Sequence, residues 1–368
     1  MPDLSATMPL SDPISDPISD PITDQARYSR QILFPGIGPS GQEQLSAARI
    51  AIIGVGATGA ATASLLARAG VGHITLIDRD FVEPSNLQRQ ILFDEADAHA
   101  ALPKAEAARR KIAAFNSAIT VDAVVADLIP ANIHALLAGA HLLLDCTDNF
   151  ETRYLLNDFA IQQSIPWIYA AAIAATAATM TILPAGSSAH YPLHPTSCLA
   201  CLFPTPPSGA IETCDTAGIL GSAVNLAASI QSAEALKLLT RQPHLIRRTL
   251  LSIDLWTNQR SEISTAQPNP DCTVCGSRIF THLAGSARPH ITLCGRNSVQ
   301  IPEHHRPVDL QAMQTRLAAH GQVRANDLLL RFERPPHTLT LFADGRAIVQ
   351  GTTDITVARS LYARFVGS

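Results

Sequence analysis

The stretch Ile50-Ala51-Ile52-Ile53-Gly54-Val55-Gly56-Ala57-Thr58-Gly59 decides how the rest of the chain is read. A short apolar run rich in isoleucine fits a buried strand, the glycines that break it fit a turn, and the alanine-rich segment Ala60 to Ala69 fits a helix. Gly70-Val71-Gly72 interrupts that helix, and a second apolar run, His73-Ile74-Thr75-Leu76-Ile77, ends at Asp78. Strand, glycine turn, helix, strand and acid follow one another as a phosphate cradle requires. Gly54 makes the tight turn, Gly56 lets the backbone approach a phosphate, and Gly59 lets the helix pack close to the strand. The helix N-terminus adds free N–H groups and a partial positive charge. Asp78 falls roughly 20 residues on, where an acid reaches ribose hydroxyls. The pattern predicts a nucleotide site on an α/β domain. It leaves the nucleotide open, because a nicotinamide dehydrogenase would carry the same glycines and acid.

The residues that follow favour a triphosphate. Asp78-Arg79-Asp80, then Asn86-Leu87-Gln88-Arg89-Gln90, then Leu102-Pro103-Lys104-Ala105 collect acids, amides and cations just past the ribose acid. Hydride transfer has no need of them, whereas phosphoryl chemistry uses cations to neutralise developing charge and acids or amides to order nucleotide and magnesium. With Arg27-Tyr28-Ser29-Arg30-Gln31, Asp145-Cys146-Thr147-Asp148-Asn149 and two C-x-x-C pairs, these residues resemble the ThiF/MoeB/HesA family. Its members are bacterial relatives of ubiquitin-activating enzymes that adenylylate the C-terminal carboxylate of small ubiquitin-like sulfur carriers. The matching pieces lie in the family's order over about residues 26 to 275.

That resemblance implies ATP and Mg²⁺. Gly54, Gly56, Gly59, Asp78, Asp80, Asn86, Arg89, Gln90 and Lys104 would bind the nucleotide, and Asp148 the magnesium. Arg89, Lys104 and Asp148 would carry the chemistry. Arg30 would be a phosphate contact supplied in part across a dimer interface, which implies a homodimer. Cys214, in the polar loop Glu212-Thr213-Cys214-Asp215-Thr216-Ala217-Gly218, would be the thiol that links to the activated carrier as an acyl disulfide or thioester. Its place near a helix start suits a lowered thiol pKa, while Asp215 opposes it. The implied partners are a carrier ending Gly-Gly and a sulfur donor, a cysteine desulfurase or sulfurtransferase.

Composition bounds the rest. At 368 residues the chain exceeds the usual single core, and 46% hydrophobic against 16% charged residues suits a globular protein. A net charge of −4 gives no basic footprint for nucleic acid. No secretory signal is evident, and the strongest membrane candidate, Trp167 to Leu183, is mostly Ala and Thr and reads as buried strand and helix core. The expectation is a cytoplasmic protein without membrane contact. Residues 1 to 25 repeat Ser-Asp-Pro-Ile and read as a disordered acidic tail, because proline at every fourth position continues neither helix nor ladder.

Along the chain, Gln42 to Ala48 reads as a short helix and Lys104 to Asn116 as an amphipathic one, with Lys104 at its start facing the crevice. Ile119 to Val125 reads as a strand and Ala131 to Leu137 as a helix. His141 to Leu144 reads as a buried parallel strand whose carboxyl end is the acid pair Asp145 and Asp148, with Cys146 structural. Ile165 to Tyr169 is a further strand, and Ala170 to Thr179 a loop that lacks the glycines and glutamine many relatives carry there. Leu250 to Trp256 reads as an edge-like strand.

Cys198-Leu199-Ala200-Cys201 and Cys272-Thr273-Val274-Cys275-Gly276 form two knuckle-like pairs. Four thiolates close a tetrahedral Zn²⁺ with no open position, so this metal would be structural. A redox C-x-x-C accounts for one pair but not both, and disulfides do not suit a cytosolic chain. Beyond Gly276, residues 276–368 predict a small α+β unit: a helix from Asp309 to Ala319, a strand from Asp327 to Phe332, a hairpin from Thr338 to Gln350 turning at Asp344-Gly345, and a helix from Asp354 to Phe365. This tail resembles that of ThiF-type members, and Cys294 within it reads as buried.

The fold expected is therefore α/β: a Rossmann-like nucleotide-binding domain with a mixed sheet and a four-cysteine zinc knuckle over 26–275, then the α+β module. The function expected is adenylylation of a ThiS-type carrier for thiamine thiazole synthesis, with a MoaD-type carrier for molybdenum cofactor as the alternative. An NAD-dependent oxidoreductase leaves Arg89, Lys104 and the knuckle cysteines idle. A non-catalytic carrier-binding scaffold shares every motif.

Overall fold

A computed structural model describes residues 23–186, 194–205, 214–285, 292–293, 298–301, 307–326, 329–343 and 345–367. Among these, eight strands form one sheet in the order β3-β2-β1-β4-β5-β6-β7-β8. They are β1 (Arg49–Ile53), β2 (His73–Ile77), β3 (Thr120–Val124), β4 (Leu142–Asp145), β5 (Trp167–Ile173), β6 (Thr176–Ile182), β7 (Thr249–Asp254) and β8 (Gln259–Ser264). The first five run parallel, and β6 to β8 add on antiparallel. Between them lie α1 (Asp24–Ile32), α2 (Gly38–Ser46), α3 (Ala57–Arg68), α4 (Glu95–His99), α5 (Lys104–Phe115), α6 (Ile133–Leu136), α7 (Phe150–Gln163), α8 (Leu199–Leu202), α9 (Cys214–Ala217) and α10 (Gly221–Leu239).

The continuous apolar runs of the sequence are strands buried on both faces, as parallel strands flanked by helices must be. Ile50 and Ile52 of β1 point into one core with Ala60, Ala63 and Leu66 of α3, Ala105 and Ile112 of α5, and Leu238 of α10. Ala51 and Ile53 point into the other, with Tyr154, Leu156 and Phe159 of α7. The strand order reverses between β1 and β4, and a crevice opens at their carboxyl ends, where open α/β sheets bind ligands.

Three expectations need correction. The tail read over residues 1–25 ends earlier, since Asp24 and Gln25 already belong to α1, capped by the Thr23 side chain, while residues 1–22 lie outside the described residues. Ala170 to Thr179 is no loop: β5 and β6 pair from Trp167↔Ile182 to Ile173↔Thr176 and turn over Ala174-Ala175. The run is nearly all small residues, so it shows neither the strand nor the helix period, and Trp167 to Leu183 contains strands without helix. Leu250 to Trp256 is not an edge either, since β8 lies outside β7. All six residues of β8 are exposed, so its sequence carries no apolar alternation.

The C-terminal unit comprises β9 (Thr292–Leu293), β10 (Ser298–Ile301), α11 (Leu310–Leu317), β11 (Gln322–Ala325), β12 (Leu329–Arg334), β13 (His337–Phe342), β14 (Ala347–Gln350) and α12 (Ile355–Phe365). Its strands pair antiparallel in the order β11-β12-β13-β14-β10-β9. Asp309 and Asp354 cap α11 and α12 through their side chains, which sets where both helices begin. The expected hairpin is β13–β14. Gly345 takes a φ of 88° in its turn, while Asp344 and Cys294 lie outside the described residues. No helix among the described residues is long and apolar enough to cross a membrane.

Candidate active site

Each glycine of the turn has its own steric reason. Gly54 adopts a φ of +84°, and a Cβ there would stand 2.7 Å from the carbonyl oxygen of Cys146. At Gly59 a Cβ would lie 1.9 Å from the carbonyl oxygen of Gly54, so only glycine lets α3 pack this close. A Cβ at Gly56 would meet only Gln90 Nε2, at 3.8 Å, which leaves the backbone open toward the crevice. Gly56 is also the cap of α3 and supplies no side-chain bond to the first N–H groups. A free helix start beside an open backbone is an anion cradle.

Asp78 closes the turn from the end of β2. Its Oδ2 accepts the Val55 N–H at 2.6 Å and its Oδ1 the Asp80 N–H at 2.7 Å. Burial pushes its carboxyl above the usual range, Lys104 pulls it back, and Asp80 adds to the rise. Lys104 is 2% exposed. Its Nζ lies 3.2 Å from Asp80 Oδ2, and its own N–H donates to the Asp80 carbonyl at 2.8 Å. Residues separated by more than twenty positions thus form one cluster, Asp78–Asp80–Lys104, at the crevice floor.

The crossover after Asp80 shapes one wall. Glu83 and Asn86 cap a single 3₁₀ turn, Pro84–Asn86, reciprocally: Asn86 Oδ1 accepts the Glu83 N–H at 3.1 Å, and the Glu83 side chain accepts in return. Arg89 is half-buried and donates to the Ser85 carbonyl at 2.8 Å. Gln90 is buried beside Gly56, and its Oε1 has no hydrogen-bond partner among the described residues. The start of α10 abuts this wall, for a Cβ at Gly221 would stand 3.3 Å from the Gln88 carbonyl oxygen.

Asp145 and Asp148 supply the opposite side. Asp145 is fully buried; its Oδ1 accepts the Thr147 N–H (3.0 Å) and hydroxyl (2.7 Å), and its Oδ2 accepts Arg153 Nε at 3.1 Å. Burial raises its carboxyl pKa and Arg153 opposes the rise. Arg153 Nη2 also holds the Thr147 carbonyl at 2.6 Å, so the turn that carries Asp148 is anchored from below. Asp148 itself is exposed. Burial works against the charges of Arg79 and Arg153; Asp127 and Asp80 offset it for the first, Tyr169 and Asp145 for the second, and Asp148 adds to both. Cys146 faces inward, donates to Gln231 Oε1 at 3.2 Å, and burial pushes its thiol up, which makes it inert as expected.

Two positioning residues were not evident in the sequence. Arg153 lies inside a helix pattern, where an arginine reads as solvated. Gln231 of α10 accepts from Thr62 (2.9 Å) and Cys146 and donates to the carbonyls of Asp145 and Ile168 at 2.9 Å each. A lone glutamine on an alanine-rich helix gives no clue that it ties α3, β4 and β5 together.

Arg30 does not join the crevice of its own chain. It is exposed on α1, whose neighbours Gln31 and Tyr28 bond to the Ala69 carbonyl (2.8 Å) and to Asn116 (2.9 Å), at the far ends of α3 and α5. Cys214 opens the short helix α9, followed by a bridge from Ile219 to Ala174 at the end of β5; its side chain lies outside what is described.

The four knuckle cysteines do converge. Sγ separations are 3.6 Å for Cys198–Cys272, 3.9 Å for Cys198–Cys201 and 3.4 Å for Cys201–Cys275, and all four sulfurs lie within 4.8 Å of one another. A tetrahedral site with Zn–S of about 2.3 Å needs S···S of about 3.8 Å, whereas a disulfide needs about 2.05 Å. The set fits a metal held by four thiolates and excludes bridges. Asn157 Nδ2 points at Cys198 Sγ (3.8 Å) and the Asn269 N–H at Cys201 Sγ (3.4 Å), as donors to thiolates do. A Cβ on Gly276 would fall 2.6 Å from the Cys272 carbonyl oxygen, which the tight knuckle turn forbids.

Comparison with known proteins places these features in a family. The ThiF family description matches residues 28–274. The chain is 43% identical to the sulfur carrier protein ThiS adenylyltransferase of Bacillus subtilis over 93% of this chain and 99% of that one. It is 37% identical to the molybdopterin-synthase adenylyltransferase of Salmonella typhimurium over 68% of this chain and 96% of that one. The fold is similar to that of E. coli MccB crystallised with ATP, at a TM-score of 0.58 and 23% identity, over 69% of this chain and 75% of that one.

Proposed function

Since the chain belongs to the ThiF family, we propose that it is an adenylyltransferase that uses ATP to activate the C-terminal glycine carboxylate of a ubiquitin-like sulfur carrier. One observation carries this reading. A glycine turn open to phosphate, the Asp78–Asp80–Lys104 cluster and the anchored Asp145–Asp148 turn meet at the crevice where the strand order reverses.

The carrier's carboxylate is ionised at neutral pH and attacks the α-phosphorus in line, forming a carboxyl–phosphate bond as the bond to pyrophosphate breaks. The nucleophile needs no general base, so catalysis is positioning and charge neutralisation. The glycine turn and the start of α3 cradle phosphate, and Lys104 and Arg89 stabilise charge on the transferring and leaving groups. Asp78 receives the ribose with lone pairs that its two backbone bonds leave over. Asn86 and Gln90 line the nucleotide, the latter with a buried oxygen that has no partner among the described residues. Asp148 holds Mg²⁺, which would offset phosphate charge when bound. Zn²⁺ held by the four-cysteine set would be structural, and the Cys214 thiol attacks the carrier's acyl-adenylate, its sulfur–carbonyl bond forming as AMP leaves, before a separate donor supplies sulfur.

The relative named for ThiS spans nearly the whole chain, C-terminal unit included, which supports a ThiS-type carrier and thiazole synthesis. The relative named for molybdopterin synthase matches 68% of it, so a MoaD-type carrier is the second reading. ATP–pyrophosphate exchange is the test. Exchange dependent on a carrier ending Gly-Gly is expected, with ThiS-type exceeding MoaD-type. Binding of NAD(H) without ATP, or ATP binding without exchange, sinks the proposal.

A further inference from the structure

The sheet of the C-terminal unit has two buried faces, and its own helices cover one. Phe332, Leu339, Leu341 and Val349 pack with α11 and α12. Leu329, Phe342 and Ile348 face the other way and bury Phe81 and Ala101 of the nucleotide-binding unit. Polar contacts surround that patch. Arg346 Nη2 donates to the Val125 carbonyl at 2.8 Å, and Asn326 Nδ2 to the Ala100 carbonyl at 3.3 Å. The Arg331 guanidinium sits 5.1 Å from the Phe81 ring centroid and 3.5 Å from Glu83 Oε1.

Phe81, Glu83, Ala100 and Ala101 all belong to the crossover between β2 and α5. Phe81 follows Asp80 and bridges to Pro103, next to Lys104. Glu83 caps the 3₁₀ turn that presents Asn86, Arg89 and Gln90. This crossover contains no strand, and its longest helix, α4, has five residues. Such a segment has little cooperative stability of its own. Phosphate-binding groups placed on it need support from outside, because a segment that must be ordered at each binding event lowers the apparent affinity for the nucleotide.

We infer that the C-terminal unit is a clamp on the phosphate-binding crossover, and that Arg331 and Phe81 are positioning residues through which it acts on Arg89, Gln90 and Lys104. The inference rests on the crevice being the ATP site. This face of the unit is also filled by the crossover, so it is not a face on which a carrier docks.

The full-length protein tests it by ATP–pyrophosphate exchange. Arg331→Ala and the milder Phe81→Leu should each raise KM for ATP about 3- to 10-fold while kcat changes less than about 2-fold, and Arg331→Lys should recover part of the loss. Amide exchange should quicken over residues 81–90 and stay unchanged around the four-cysteine set. Arg334→Ala, exposed on the same unit and stacked on Phe365 instead, should leave KM as it is. Lys104→Ala serves as reference. Unimpaired exchange there removes the ATP-site reading and the clamp with it. Impaired exchange there, with normal KM and normal amide exchange in Arg331→Ala and Phe81→Leu, removes the clamp alone.

Discussion

Lys104 is buried against two acids, and its replacement should be felt in both catalysis and stability. Lys104→Ala should lower adenylylation by two to four decades, about 3–5 kcal/mol of lost charge stabilisation. Arg89→Ala should do the same without disturbing the fold, since Arg89 is half-buried and holds only a local carbonyl. Lys104→Ala has a second signature. Burial raises the folded pKa of Asp78, and Lys104 opposes that rise. An acid with a raised folded pKa loses stability as pH climbs from its unfolded value through the folded one. Without Lys104 the rise grows, so the variant's deficit in Tm should widen as pH climbs above the unfolded carboxylate value of about 3.9; a deficit independent of pH overturns this pairing. Cys214 divides two steps differently. Adenylylation uses no thiol, so Cys214→Ser should keep pyrophosphate exchange but lose any carrier adduct that thiol reductants release. Mass spectrometry of enzyme, carrier and ATP reads this, and an adduct of unchanged yield removes the nucleophile.

Helix α7 shows how elements couple sites that are distant in sequence. Asn149 caps it, Arg153 anchors the acid turn, and Asn157 one turn later accepts the Leu199 N–H at 2.9 Å beside the four-cysteine set. Zinc should be present at one per chain, and Cys272→Ser should lose it together with thermal stability, because binding free energy is folding free energy. A stable, metal-free protein contradicts that. Asp158 on the same helix accepts the N–H groups of His282 (2.9 Å) and Leu283 (3.2 Å) through Oδ2, while its buried Oδ1 has no partner among the described residues. Burial raises its pKa. Asp158→Asn keeps the acceptor and removes the charge, so it should be more stable than the parent at pH 8, the gain shrinking as pH falls toward the unfolded carboxylate value of about 3.9. Elements of this kind were legible in proportion to their periodicity. The glycine turn, the parallel strands and the knuckles carry local steric or chemical demands that residue types display. The β5–β6 hairpin of small residues and the exposed β8 display none, and Arg153 and Gln231 take their meaning from partners on other elements.

At the scale of the whole molecule, the position of Arg30 makes the expected dimer testable. α1 packs at the carboxyl end of α3, and the glycine turn lies at the other end. Twelve helical residues separate them by about 18 Å, beyond the reach of an arginine. Directly after α1, Leu33 and Phe34 are 70% and 61% exposed, an apolar pair that a neighbouring subunit would cover. If α1 serves the crevice of a partner in a two-fold dimer, each site combines Arg30 from one chain with Lys104 from the other. Arg30→Ala and Lys104→Ala proteins would each be impaired alone. Unfolded, mixed in equal amounts and refolded, half of their dimers would be mixed, and each mixed dimer would hold one intact composite site. Exchange should therefore recover to about a quarter of the unmutated rate. Were Arg30 to act within its own chain, every mixed dimer would carry one lesion per site, and the mixture would show no more than the mean of the two parents.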